Sequence, residues 1–255
     1  MFNFIKKNKL IIYTDRAYDP FLEKCFETHP KNTPEWLKNL PTFTFPEEIK
    51  NKEMSFVQKM FHKLGNTIKT CYGINRHLKN TVVFKSPLDF VIILENDNWK
   101  IKTSNESPLV EIGDHHWSQF PTIKENFHHI KIVFGYIKLS TNVNTINTFF
   151  NSPFYHENFM KDGSLQVFPG YVPLHNKSSS KFTINFGIRR DTTLKEFYIK
   201  AGDPLMYMTF NEEIDIEFKS FNDLSLKDKM SNLSDYAKKF VGNEEYFQKH
   251  LNRSL

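Results

Sequence analysis

Apolar and polar positions alternate with a period of two along much of the chain, and that spacing predicts a protein built mainly from β-strands. Residues 1–14 read as a first strand, with Phe2, Phe4, Leu10, Ile12 and Tyr13 able to supply an inner face. Residues 15–48 hold five prolines and read as a wrapping loop. Within it "TPEWLKNLP" makes about one helical turn, started by Thr33 as N-cap with Pro34 first in the helix. Phe56, Val57, Met60, Phe61 and Leu64 then recur at helical spacing before Gly65, which predicts a short amphipathic helix over 53–64. "TIKTCYGINRHL" leads into three strand cores at Val82–Phe84, Phe90–Leu94 and Trp99–Ile101, with "ENDN" as the hairpin turn between the last two.

Residues 107–140 predict two more strands, the second being "IKIVFGYIKL", and the polar stretch "STNVNTINT" follows as a separator. Further strands are expected near 181–188, 196–200, 204–210 and 214–219. From Leu224 the period lengthens to three or four, with Leu226, Met230, Leu233, Tyr236 or Ala237, and Phe240 recurring along one stripe. That predicts a helix, a break at Gly242 and a second short helix. No repeat and no linker divides the chain. The expectation is one β-rich domain over 1–222 and a helical extension over 223–255, the domain being an antiparallel β-sandwich or a β-clip-like barrel.

Composition narrows the setting. A chain of 255 residues can bury a sizeable core without staples, and Cys25 and Cys71 are too few for a disulfide framework and lack metal-ligand spacing. The expected setting is a reducing cytoplasm, that of an infected host cell if the protein is viral, or the virion. The N-terminal apolar run is broken by charge and no run reaches the length of a membrane span, so neither a signal peptide nor a membrane is expected. The formal charge of +5 is mild and the lysines are dispersed, which argues against nucleic acid as the main partner. With 26 Phe against three Ala and five Arg, residue usage follows AT-rich codons, as in an AT-rich bacterium or its virus.

Three segments of the second half come in a characteristic order: "FPGYVPLHN" at 168–176, "FTINFGIRRDT" at 182–192 and "IKAGDPLMYMTF" at 199–210. With "TPEWLKNLP" and "TIKTCYG" in the first half, this order resembles an uncharacterised family of proteins of tailed phages of marine bacteria. The likeness covers about 30–210 and brings no activity with it. A more distant likeness is to the β-clip proteins of the dUTPase and dCTP deaminase type. Pro169-Gly170-Tyr171 is similar to that family's PxGY turn, and Ile199, Gly202, Asp203 and Leu205 to the frame of its last motif. The dUTPase hairpin carries a carboxylate directly behind Gly-x-Ile, whereas this chain reads Gly187-Ile188-Arg189-Arg190-Asp191. The phosphate-binding Arg-Ser-Gly motif is absent too. The likeness therefore implies a fold and not the chemistry.

Candidate chemistry concentrates in "VEIGDHHWSQFPTIKENFHHIKI", which holds His115, His116, His128 and His129. Adjacent strand residues point to opposite faces, so each pair offers one imidazole to any common site. If the segments pair antiparallel with His116 opposite His128, His115 faces His129, and two imidazoles could hold a divalent transition metal. A third ligand would come from Glu111, Asp114, Gln119 or His175. The alternative is that all four are ordinary loop and strand-end residues. Arg189 and Arg190 stand out because arginine is scarce. Two guanidiniums on a hairpin could bind phosphate or carboxylate, or Asp191 or Glu196 could pair with them. Tyr171, placed on a turn, could stack on a ligand or cover the core.

Three readings follow. The first is an accessory protein of the phage type that binds a small polar or anionic ligand, with metal assistance if the histidines ligate. The second is a non-catalytic virion-associated or interaction protein, meeting a partner chain or a second copy. The third is nucleic-acid binding through lysines and aromatics, whose mark would be steep salt dependence.

Overall fold

The structure, a computed structural model, describes residues 7–14, 22–41, 43–44, 65–95, 98–103, 110–113, 125–156, 163–176 and 180–224. The helices expected over 53–64 and beyond Leu224 lie outside the described residues. No helix among the described residues is long and apolar enough to cross a membrane.

Alternation does in space what it does in sequence. In β9 (Phe127–Thr141) Ile130, Ile132 and Phe134 point inward, and in β13 (Ser180–Arg189) so do Phe182, Ile184, Phe186 and Ile188. The two strands run antiparallel with Phe134 opposite Phe182 and Ile132 opposite Ile184, so matched apolar rows face one way. β11 (Leu165–Val167) extends this sheet beyond β13. On the other edge of β9 lie β8 (Val110–Gly113) and β1 (Lys9–Thr14), and β16 (Asp215–Ser220) pairs with β1 in parallel.

A second sheet runs β12 (Gly170–His175), β10 (Thr145–Asn151), β15 (Pro204–Phe210), β5 (Thr81–Lys85) and β2 (Phe26–Thr28). Its inner face presents Phe26, Val82, Phe84, Phe150, Met206 and Met208 to the first. Phe84 sits at the junction, its ring centre 4.6 Å from that of Phe182 and 5.1 Å from that of Phe134. These are sandwich contacts. Of the two architectures expected the structure is the sandwich, and among the described residues the sheets do not close into a barrel.

A third sheet, β14 (Glu196–Ile199), β6 (Phe90–Glu95) and β7 (Asn98–Thr103), buries Phe90, Ile92 and Ile199 in the same core. The β6–β7 hairpin turns within residues 95–98 as expected, with Glu95 opposite Asn98. A two-residue ladder, β3 (Phe43–Thr44) with β4 (Gly65–Asn66), completes the strands among the described residues.

Three expectations need correction. The helix in "TPEWLKNLP", α1 (Glu35–Asn39), begins one residue later than Pro34, and Thr33 does not cap it. The Thr33 hydroxyl donates instead to the carbonyl of His29 at 3.0 Å, closing the preceding 3-10 turn. "STNVNTINT" is not only a separator, since its second half is β10, whose Ile146, Thr148 and Phe150 are buried. Tyr171 is on a strand, not a turn. β12 is an edge strand, where Pro173 removes no ladder hydrogen bond that the sheet needs.

An unexpected helix, α2 (Tyr72–Lys79), follows a 3-10 turn at Ile68–Thr70 and buries Leu78. With the 3-10 turn His29–Asn32 it lies against the second sheet's outer face, the side away from the first sheet. Tyr207 and Val83 are fully buried there, although they point away from the sandwich core.

Candidate functional site

β8 pairs with β9 in the register that places Gly113 opposite Lys131 and Ile112 opposite Ile132. That is the register the proposed histidine pairing uses. His115 and His116 themselves lie outside the described residues, and with them the four-histidine site. On β9 the neighbours His128 and His129 part to opposite faces, as strand geometry requires. His128 is the last inward residue, its ring 6.0 Å from that of Trp99 on β7. His129 faces out, stacked on Phe168 at 5.7 Å with Nε2 3.2 Å from Asn185 Oδ1. Burial holds the His128 imidazole below its ordinary range, with the cations Arg190 and Lys195 adding to it. Among the described residues no group of three or more His, Cys, Asp or Glu is arranged to hold a metal.

Arg189, Arg190 and Asp191 come together where β13 ends. The turn is pinned from both sides: the Arg189 amide donates to Ser164 beside β11, and the Arg190 amide donates to Asn126 before β9, each at 2.9 Å. Arg189 grips Asp191 through two parallel bonds, Nε to Oδ1 at 2.9 Å and a second from the guanidinium to Oδ2. That pair holds the Asp191 carboxyl below the usual carboxylate range. Glu196, the other acid considered, pairs with the phenol of Tyr198. The three residues line a cleft of ≈ 370 Å³ together with Glu125, Asn126, Phe127 and Gln166. Tyr171 is not in this lining; it is 63% exposed on β12 and packs on Phe149 with ring centres 5.8 Å apart.

Gly187, two residues before Arg189, sets the floor of this corner. A Cβ there would come within 2.4 Å of the Phe168 ring and 3.1 Å of Phe127. The glycine therefore lets two aromatic rings close over β13, one of them the ring that carries His129.

Sequence reasoning missed a second polar assembly, under the helical cap. His29 is 1% exposed, and its Nε2 has no hydrogen-bond partner. Its ring lies 5.6 Å from Tyr207 and 6.0 Å from His156, and His156 Nδ1 is 2.8 Å from the Tyr207 hydroxyl. Tyr155 stacks on Tyr207 at 6.4 Å, and its carbonyl accepts from Trp36 Nε1 at 2.8 Å. Asn151, opposite Tyr207 in the β10–β15 pair, has a buried Oδ1 without a partner. Burial pushes His29 down to about 4, with His156 and His77 contributing, so it is neutral at pH 7. Burial also raises the Tyr207 phenol well above its ordinary value. These residues lie at 29, 151, 156 and 207, and no local motif joins them; the only signal was a histidine beside a proline at a turn.

Compared with protein-family models, with curated proteins and with solved structures, the chain finds no match.

Proposed function

We propose that the sandwich is a binding module for a small anionic ligand, held in the cleft at the Arg189–Asp191 turn. One observation carries this reading: a guanidinium on a turn fixed by backbone bonds to Ser164 and Asn126, in a cleft of ≈ 370 Å³ lined also by Gln166, Asn126, Phe127 and Glu125. That volume is within the range of small-molecule sites. Asp191 occupies the Arg189 fork in the way a ligand carboxylate or phosphate would, so the ligand exchanges with Asp191. The reading is one of binding and contains no catalytic step. Its setting, an accessory protein of the phage type, rests on the ordered segments of the sequence alone.

A panel of citrate, inorganic phosphate and acetate, followed by thermal shift at fixed ionic strength, tests it. A multiply charged anion should raise the melting temperature, because a ligand bound only to the folded state stabilises it by mass action. Arg189→Gln should remove most of that gain. An equal gain in the variant would place the anion elsewhere.

The second reading, a protein-interaction role, takes as its candidate contact Tyr171, 63% exposed on the edge strand β12. Tyr171→Ser would lower self-association measured by light scattering if that face pairs with a second copy, and would leave a monomer unchanged otherwise.

A further inference from the structure

The outer face of the first sheet supplies the cleft with an aromatic wall. In the β9–β13 ladder Arg189 stands directly opposite Phe127 and Gly187 opposite His129, while Ile188 between them is fully buried, so these four positions share the outward face. Gln166 on β11 stands opposite Gly187, and beyond that strand the Phe168 amide donates to the Asn185 carbonyl at 2.8 Å. Direct cross-strand partners hold their Cβ atoms about 5 Å apart, so Phe127 and Arg189 rise side by side from the sheet. Both line the cleft, and Phe127 is the one apolar residue of its described lining.

A chain of contacts holds the Phe127 ring in place. Gly187 has no Cβ, so Phe168 closes over β13 and meets Phe127 with ring centres 5.6 Å apart and planes at 80°. His129 stacks in turn on Phe168, with planes 13° apart, and its Nε2 lies 3.2 Å from Asn185 Oδ1. Phe127 is nevertheless only half-buried. A ring that is already fixed loses little freedom when a ligand packs on it.

The charges of the lining cancel formally, since Arg189 and Arg190 stand with Glu125 and Asp191. An anion therefore gains most at the Arg189 fork, and a ligand charged on every side meets carboxylates as well. A ligand with one anionic edge and an uncharged flat ring presents the edge to Arg189 and the ring to Phe127.

We propose that the ligand of this cleft is an aromatic carboxylate, its carboxylate taken by the Arg189 fork and its ring packed on Phe127. The assignment rests on the reading of the cleft as an anion site and names the class of anion.

The test titrates benzoate and cyclohexanecarboxylate, equal in charge and in ring size, into the full ¹⁵N-labelled chain at constant ionic strength, following the backbone amide signals of the Arg189–Asp191 turn. Benzoate should bind about three- to tenfold more tightly, the gain of an aromatic pair beyond buried area. Phe127→Leu should keep cyclohexanecarboxylate binding and bring benzoate down to it, Phe127→Tyr should preserve the preference, and Arg189→Gln should lose both acids. Equal affinity for the two acids in the wild-type chain, or a benzoate preference that survives in Phe127→Leu, overturns the proposal. So does a turn that citrate shifts and neither ring acid does, an outcome that leaves the anion cleft standing. A turn that responds to none of the three overturns the cleft and its ligand together.

Discussion

At the scale of single residues, the proposed reading makes Asp191 an internal competitor of the ligand for Arg189. Asp191→Asn removes a carboxylate from an exposed guanidinium, so an anion no longer has to displace it. Binding of citrate should tighten severalfold, as seen by calorimetry, while stability changes little because the pair is exposed. His29 supplies a pH dependence of known sign. Its folded value of about 4 lies below the ordinary 6.5, so between those values the unfolded chain binds the extra proton. Stability is therefore full above about pH 6.5 and is lost as pH falls toward 4, by roughly 3 kcal/mol. Denaturant melts at pH 7 and pH 4.5 would show it, and His29→Leu should flatten the difference. The two thiols differ in the same spirit. Burial pushes Cys25 up to about 11, whereas Cys71 is exposed. A thiol reagent at pH 7.5 should label Cys71 in the native protein and Cys25 only after unfolding.

Among the elements, legibility followed inward alternation. β9, β13 and β15 were plain because Ile, Phe and Met recur on one face over seven or more residues. β10 was half hidden because Thr148, a polar residue, takes an inward position. α2 was missed because it is short, eight residues, and buries a single residue, Leu78, leaving too little apolar face to read from spacing. The Arg189–Asp191 pair was legible because its partners are two residues apart. The His29, Asn151, His156 and Tyr207 assembly was not, since strand pairing and a helical cap bring it together from four distant positions. Gly187 shows how one residue joins element to site. Gly187→Ala drives a methyl group into Phe168 and should cost about 1–3 kcal/mol in denaturant melts, disturbing the His129 stack as well. A fully tolerated alanine would mean that Phe168 does not close over β13.

For the whole molecule, two sheets share a core keyed by Phe84, and a third sheet leans on the same core while bringing Trp99 to His128 at the start of β9. The first sheet brings segments distant in sequence together, since β1 pairs with both β16 and β9. Its consequence is a corner where β9 and β11 begin, β13 ends, and two of the five arginines, Arg189 and Arg190, stand together. The mild net charge of +5 gives no broad field to attract polyanions, so on the proposed reading selectivity for an anion would reside in that corner. The most direct measurement is calorimetric titration of citrate into the wild-type chain, Asp191→Asn and Arg189→Gln at one ionic strength. The expected order of affinity is Asp191→Asn, then wild type, then Arg189→Gln with binding lost. Equal affinity in all three, or none in any, would contradict an anion cleft at this turn.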